Sequence, residues 1–538
     1  MNINLKKNFL SEIIENKIKK NDLKKLLFRF PPEPNGYLHI GHVKSILINF
    51  GLALKYQAKC YLRFDDTNPD NSTDHYIESI KKDIQWLGFK WDYITYTSDY
   101  FDILYDFAHK LIMKNLAYVD DNSPYLINKM RGTPEITGTE SLYRNRSIEE
   151  NLSLFKKMKN GHFSEESRVL RAKIDMKNPN IHMRDPIIYR IKYRKHNRLG
   201  NKWCIYPSYD FSHGQCDSIE KIDFSICTSE FKDHNILYNW FIKKLNIYPS
   251  QQYEFARLNI SYNILSKRKI AKLIQLKKIR YWNDPRILTI SGLRNKGFTP
   301  KSIIDFVNHI GVQKRDSIID YNLLNHFLCK DIHKNTDIII AIVNPVKLVL
   351  INFSSTRTEK ISFYKNRYMY LKKIIYIDKK DFSENPSKEY NKLYIGNIVK
   401  LQNSYAIQCN SIIKNQNGSL KEIHCTFIEK SNSIEYKNQY KLNVIHWMDI
   451  DKSYTCKIHM YDNLFTHYNP NIDNLYLKAL NKNSLITTYS IIEHKITEYK
   501  IGDRIQIIRN GYFIIKDISK KDNIYTLSKI SGLKTKNY

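Results

Sequence analysis

The sequence is short of acid. Its 538 residues include 54 Asp and Glu against 86 Lys and Arg, a formal net charge of +32. That excess suggests a polyanionic partner, most simply a nucleic acid. The chain is also crowded with Lys, Asn, Ile and Tyr, as an A+T-rich coding sequence produces, so the charge supports other evidence and decides nothing alone. Closely spaced cysteines are missing too. Cys60, Cys204, Cys216, Cys227, Cys329, Cys409, Cys425 and Cys456 are scattered, and no two lie two residues apart. That excludes a cysteine-based zinc pattern, and no zinc or other bound metal is expected. Dispersed thiols in a long chain fit a reducing cytosol. Near the start, Lys6, Lys7, Glu12 and Glu15 interrupt any signal-peptide core, and the acids count against an organelle transit peptide. A run of about 18 apolar residues is absent. Ile338–Phe353 comes closest but contains Asn344, Pro345 and Lys347. The expectation is a cytoplasmic protein with no membrane partner.

What is present reads as globular: 42% hydrophobic and 26% charged residues. A chain this long exceeds one compact core, and roughly two to four domains are expected. The first part reads as α/β. Leu26–Phe30 is a short apolar run bounded by Pro31 and Pro32, as a buried strand would be. From His39, the residues Ile40, Val43, Leu47, Phe50 and Leu54 recur at helical spacing. Tyr61–Phe64 is a second strand, closed by Asp65-Asp66-Thr67-Asn68-Pro69, and Tyr76–Leu87 is helical again. Strand, helix, strand, helix predicts a parallel sheet. Ligands on such sheets sit beyond the carboxyl ends of the strands, where FPPEPNG and DDTNP both lie.

Trp203–Ile205 and Phe224–Cys227 are expected to resume that sheet after an insertion. Thr299 and Pro300 read as the N-cap and first residue of a helix that ends at Gly311. Beyond about residue 338 the period changes to two. Lys347–Phe353, Tyr368–Ile377, Lys392–Leu401, Leu420–Ile428, Leu442–Ile450, Tyr454–Tyr461 and Arg504–Ile508 read as strands. Asn417-Gly418 and Asn510-Gly511 are hairpin signals. Short strands at this spacing suggest barrels or sandwiches.

Two segments could carry chemistry. In FPPEPNGYLHIGH, Phe30–His42, the histidines His39 and His42 share one face of a helix N-terminus. That terminus offers free N–H groups and partial positive charge, and Gly41 permits close approach. A phosphate would gain from all three features, whereas a helix cap with two exposed histidines is the plainer alternative. In ILSKRKI, Ile264–Ile270, the residues Lys267, Arg268 and Lys269 form a basic cluster. Alone it is a solvated charge run; with the histidine segment it makes sense as a clamp on a triphosphate.

In this order the two segments resemble the HIGH and KMSKS signatures of class I aminoacyl-tRNA synthetases. The longer strings RFPPEPNGYLHIGH, LRFDDTNP, RDPIIYRIKY, NKWCIYPSYDFSH and QYEFARLN resemble the glutaminyl-tRNA synthetases, and the resemblance runs through most of the chain. It implies a Rossmann-type α/β catalytic domain, its first half at 1–100 and its second at 201–262. An acceptor-stem-binding insertion would occupy 101–200, and the SKR loop with a helical connector 263–337. Two antiparallel β-barrel anticodon-binding domains would fill 338–538. The implied chemistry is activation of L-glutamine by ATP with Mg²⁺, then transfer to the terminal ribose of tRNA(Gln), by a monomer.

The resemblance also assigns residues. His39, His42 and Lys267 would be catalytic. The ATP contacts would be Glu33, Pro34, Asn35, His39, Ile40, Gly41, His42, Val43, Lys44, Ser45, Thr228, Arg257, Leu258, Leu265, Ser266 and Lys267. Asp65, Tyr209, Gln252 and Cys227 would meet glutamine. Pro134 and Asp233 would meet the tRNA acceptor end. Three departures stand out: Pro134 replaces a wedging leucine, Leu265 replaces a methionine, and Ile338 and Gln402 stand where anticodon-reading arginines are expected. The sister glutamyl enzymes carry an arginine where Cys227 stands, to pair the side-chain carboxylate. A neutral thiol there favours glutamine, because an unpaired buried carboxylate costs several kcal/mol. The alternatives are a glutamyl-tRNA synthetase and a degenerate tRNA-binding protein. A small-molecule nucleotidyltransferase would leave the β-rich end and the basic charge unexplained.

Overall fold

The structure is a computed structural model that describes residues 5–19, 26–70, 73–364, 367–432, 441–449, 451, 453–519 and 521–533. It divides into two compact units. One comprises Met1–Leu293 with Thr299–Leu324, the other Arg294–Phe298 with Asn325–Tyr538.

Parallel strands organise the first unit. Leu27–Phe30, Lys59–Phe64 and Tyr93–Tyr96 pair side by side, with Phe30 opposite Leu62 and Phe64 opposite Tyr96. Phe224–Thr228 pairs in parallel with Gln251–Phe255. It lies against the free side of Leu27–Phe30, where Phe28 and Phe224 stack at 5.8 Å. There Asp223 N donates to Leu27 O, and Leu27 N donates to the Asp223 carboxylate. The chain therefore builds outward from Leu27–Phe30 in one direction, then returns to build on its other side. This reversal is a topological switch point, where parallel sheets bind ligands. The helix Ile40–Lys55 starts just after it.

The two halves of this sheet are joined by buried charge. Asp217, on the helix Tyr209–Ile219, accepts from Arg29 Nε at 3.0 Å and from Arg63 Nη2 at 2.6 Å. Arg63 also donates to Glu220 at 2.6 Å, and Thr95 and Tyr100 complete the Glu220 carboxylate. All four charged side chains are almost wholly enclosed. Burial alone would raise the Asp217 carboxyl, but the Arg29 and Arg63 guanidiniums outweigh it and hold the group below the usual carboxylate range.

Between the halves lies an antiparallel sheet of Ala117–Asp120, Val169–Ala172, Ile187–Ile191 and Ile205–Pro207. The expected strand at Trp203–Ile205 is thus corrected: it begins at Ile205 and closes this sheet rather than resuming the parallel one. Trp203, Ile205 and Tyr206 are all buried in one core with Phe101 and Phe155. Such a short, fully buried run carries no alternation to show its pairing. Phe224–Thr228 does resume the parallel sheet, as expected. The helix at Pro300–Ile310 forms as read, with a reciprocal Thr299–Ser302 cap and Gly311 at φ 71°.

The second unit holds two seven-stranded sheets. Each is nearly closed by the same device. In one, Asp337–Ile339 and Ala341–Val343 pair with opposite edges of the sheet and are separated only by Ile340. In the other, Val444–Ile445 and Trp447–Met448 do the same around His446. A single bent strand thus serves both edges, which leaves little unpaired backbone. Most pairs are antiparallel, with parallel pairs at the closing strands and within each sheet.

The strand expectations shift here. Leu420–Ile428 forms as read, whereas Lys392–Leu401 shortens to Ile398–Leu401 and Tyr368–Ile377 splits into Arg367–Leu371 and Ile374–Asp378. Leu442–Ile450 becomes the bent strand, with Ile450 outside the described residues. Both Asn-Gly hairpins form.

The ion network gives a test of the fold. Asp217→Asn leaves buried Arg29 without its anion and Arg63 with Glu220 alone, which typically costs about 3–5 kcal/mol. Denaturant titration is expected to show that loss, while Lys55→Ala, which breaks the surface pair with Glu15, leaves the midpoint essentially unchanged.

Candidate active site

The histidine segment is held by its own caps. His39 is the N-cap of Ile40–Lys55, and its Nδ1 accepts from Gly41 N at 3.1 Å. His42 Nδ1 accepts from His39 N at 3.0 Å. Both Nδ1 atoms are acceptors, so each neutral ring carries its proton on Nε2. Burial, reinforced by the charge of Lys267, lowers His39 to about 3 and holds His42 well below its usual value. Each ring is therefore a neutral Nε2–H donor at physiological pH, and both keep some accessible surface. Gly41 is required by this geometry. A Cβ there would stand 2.9 Å from His39 Cε1 and 3.0 Å from its Nδ1. The chain at Leu288–Ile290 braces the segment through Leu288 O to Ile40 N at 2.9 Å, and Trp282 stacks on Tyr37.

The basic segment reaches the same place. Ser266 caps the helix Lys267–Gln275. Lys267 Nζ donates to Asn35 Oδ1 at 2.6 Å, and its stem lies over Gly36. Burial lowers the ammonium to about 8 against the opposing charge of Glu33. Leu265 approaches Gly41, so the loop covers the start of the histidine helix. Pro34 is buried, and Ile40 and Val43 belong to the core.

Lys44 goes elsewhere. Its ammonium donates to Ala256 O at 2.7 Å in the interior. It ties the histidine helix to the segment before Arg257 and Leu258. Arg257 is surface-exposed and pairs with Glu230 at 2.6 Å, and Thr228 Oγ1 donates to the same carboxylate at 2.8 Å. Leu258 is buried at the start of Leu258–Ile260. Ser45 is half-buried on the histidine helix.

Asp65 sits at the carboxyl end of Lys59–Phe64, and its backbone N donates to Pro32 O at 3.1 Å, joining the two strand-end loops. Its carboxylate is buried and accepts from Thr67 Oγ1 at 3.0 Å. Burial raises it to about 6, although Thr67 and Arg63 pull the other way. A buried carboxylate raised in this way gains most from a cation. Tyr209 stacks on His213 at 4.8 Å and lies tilted against Phe231 at 5.2 Å. Burial, then the charge of Asp65, pushes its hydroxyl well above the usual range. Gln252 Nε2 donates to Phe231 O at 3.1 Å and Glu254 at 2.9 Å, which leaves its carbonyl oxygen for other contacts.

Cys227 is half-buried, and burial pushes its thiol far up, so it stays neutral. The sequence reading missed its neighbour Arg29. This guanidinium donates to Asp217, Ile226 O, Ser225 Oγ and the His213 ring. Its charge is committed to Asp217. Only its place in an otherwise apolar strand could have signalled it.

Pro134 is exposed at a tight turn in which Thr133 and Ile136 exchange backbone hydrogen bonds, and Ile136 is 64% exposed beside it. Buried Arg184 gathers the carbonyls of Arg131, Thr133 and Ile136 under that turn. Asp233 is exposed, and its carbonyl accepts from Asn180 at 2.7 Å. In the second unit, Lys400, Gln402, Asn403, His446 and Arg509 line an open cavity of about 460 Å³. Ile338 does not project a cation; its carbonyl accepts from Arg367 at 2.8 Å.

Comparison with known proteins agrees with this arrangement. The family described as tRNA synthetases class I (E and Q), catalytic domain, matches residues 25–334. Two anti-codon binding domain families of the same description match 339–428 and 444–516. The glutamine–tRNA ligase of Clostridium perfringens is 42% identical over 539 residues, 98% of each chain. That of Haemophilus influenzae (strain 86-028NP) is 44% identical over 516 residues, 94% of this chain and 93% of its own. The glutamine–tRNA ligase of Buchnera aphidicola subsp. Schizaphis graminum is 44% identical over 545 residues, 98% of this chain and 97% of its own. With its histidine helix at the switch point of a parallel sheet and matches along nearly its whole length, this chain belongs to the class I tRNA synthetases of the E and Q branch.

Proposed function

We propose that this chain is a glutamine–tRNA ligase: it activates L-glutamine with ATP and transfers it to the 3′-terminal ribose of tRNA(Gln). The observation that carries this reading is the convergence of Lys267 on Asn35 beside the His39–His42 cap. One ammonium, two neutral N–H donors and a helix N-terminus gather at the carboxyl end of the sheet. Glutamine carboxylate attacks the α-phosphate and pyrophosphate leaves. The protein's part is positioning and electrostatic stabilisation. Lys267 holds charge as it develops on the phosphates, and the His39 and His42 Nε2–H groups donate to them. Mg²⁺ enters with ATP as part of the substrate. Glu33, Pro34, Asn35 and Ser45 border the nucleotide, with Thr228, Arg257 and Leu258 on its far side. Lys44 acts from behind, by holding the Ala256 carbonyl.

Asp65 takes the α-ammonium, which supplies the cation its buried carboxylate wants. Tyr209 and the Gln252 carbonyl meet the carboxamide. Selectivity rests on the neutral pair of Cys227 and an Arg29 already neutralised by Asp217, so a glutamate carboxylate finds no free cation there. At the acceptor end, the exposed Asp233 carboxylate accepts from a guanine N2 amine. Pro134 and Ile136 form the apolar tip that meets the end of the stem. The cavity lined by Lys400, Gln402, Asn403 and His446 would take anticodon bases, with the Arg509 guanidinium beside it already paired with Asp381. The chain is read as a cytoplasmic monomer; its dispersed free thiols fit a reducing compartment. No helix among the described residues is long and apolar enough to cross a membrane.

Charging of glutamine tRNA with labelled glutamine, and separately with labelled glutamate, tests the reading. Glutamine alone is expected to be transferred. Transfer of glutamate would assign the chain to the sister activity, and tRNA binding without either transfer would leave only a binder. Lys267→Ala is expected to slow ATP–pyrophosphate exchange by about 10²–10³ while tRNA affinity holds; an unchanged rate removes Lys267 from the mechanism. Cys227→Arg should raise glutamate use relative to glutamine, read as the ratio of kcat/KM values. If that ratio stays put, selectivity lies elsewhere.

A further inference from the structure

Three residues far apart in the sequence meet on the surface of the first unit. His182 lies in the short turn Ile181–Met183, Asp210 in the first turn of Tyr209–Ile219, and His234 at the end of the turn Ser229–His234. One ligating atom from each lies within 4.8 Å of the others. His234 Nδ1 and Asp210 Oδ1 are 2.6 Å apart, and the two imidazole rings face each other with centroids 3.8 Å apart at 37°. We propose that His182, Asp210 and His234 form a binding site for one divalent transition-metal ion of the zinc class.

The argument is one of donor set, geometry and charge. Two imidazoles and one carboxylate suit zinc-like ions, whereas magnesium and calcium prefer all-oxygen shells. Ligand distances of about 2.0–2.2 Å require the three donor atoms to draw in toward one centre. The side chains are part-exposed and can turn without disturbing a core. The backbone beneath them is already braced. Asn180 Oδ1 accepts from His182 N at 2.9 Å, and Asn180 Nδ2 donates to Asp233 O at 2.7 Å. One side chain therefore fastens the His182 turn to the His234 turn. Asp210 brings the negative charge of the donor set, and the Asp233 and Glu230 carboxylates stand nearby, partly offset by Arg131. The metal would replace the proton shared by Asp210 and His234. Three protein ligands leave a fourth position for water or a substrate oxygen.

The site answers the earlier expectation of no metal, which rested on cysteine spacing. Histidine and aspartate on three separate turns present no linear pattern. Occupied, the site would link the insertion, through His182, to the helix that carries Tyr209 and the turn that carries Asp233. It stands apart from the ligase reading, since metal binding is measured without tRNA or ATP.

Full-length chain, stripped with a chelator and dialysed, would be titrated with Zn²⁺ against a chromophoric competitor, and with Co²⁺ as a spectroscopic probe. One ion per chain is expected, with visible Co²⁺ bands of a four- or five-coordinate site. His182→Ala and His234→Asn should each weaken binding at least about tenfold, the cost of losing even an outer partner of a metal site. Absence of saturable micromolar binding would overturn the proposal, leaving a His–Asp ion pair with a stacked ring. Equal affinity in wild type and variants would overturn it too, since the ion then sits elsewhere. Circular dichroism checks both variants, and if one fails to fold the other decides.

Discussion

Asp217 is the interaction on which the rest depends. The parallel sheet is interrupted by a long insertion, so its two halves are made by distant segments. Asp217 comes from the later half, while Arg29 and Arg63 come from the earlier strands. A carboxylate enclosed between two guanidiniums cannot shift without leaving charge unpaired in the interior. That constraint fixes how Phe224–Thr228 lies against Leu27–Phe30, and hence where the switch-point crevice opens.

The same network shapes the site chemistry. Arg29 reaches Ile226 and Ser225 from inside, which sets the strand end that carries Cys227. Because Asp217 neutralises Arg29, a cation lies close to the proposed side-chain pocket without being offered to it. The capping box of His39 and His42 works in the same spirit on a smaller scale. Backbone donors occupy both Nδ1 atoms, so each Nε2–H is kept for a ligand, and Gly41 leaves room for the ring that folds back.

Local signals were readable. The Thr299–Pro300 start, the Asn-Gly hairpins and the histidine cap depend on residues within a few positions of one another, and all formed. Pairing was harder. Trp203–Ile205 has the composition of any buried strand, and nothing in three residues says which sheet it joins. The bend at His446 within Leu442–Ile450 was missed for a related reason. Val444–Met448 reads as one short stretch, and only the closing of the sheet splits it into two pieces around His446. Lys44 is named by its place in the motif, and only the fold shows that its ammonium goes to the Ala256 carbonyl.

By itself the sequence determined the kind of chemistry. The cap, the basic loop and the strand-end acid are local arrangements whose atoms are prescribed by neighbouring residues. Tertiary structure alone decided which charges are spent and which are available. Arg29 and Arg63 read as ordinary cations until Asp217 and Glu220 are seen to neutralise them. That burial leaves the Asp65 carboxylate short of a cation is likewise visible only in the fold. His182, Asp210 and His234 have no relation in the sequence at all. Burial and pairing arise from segments that meet only when the chain folds, and electrostatic cost depends on that meeting rather than on residue type.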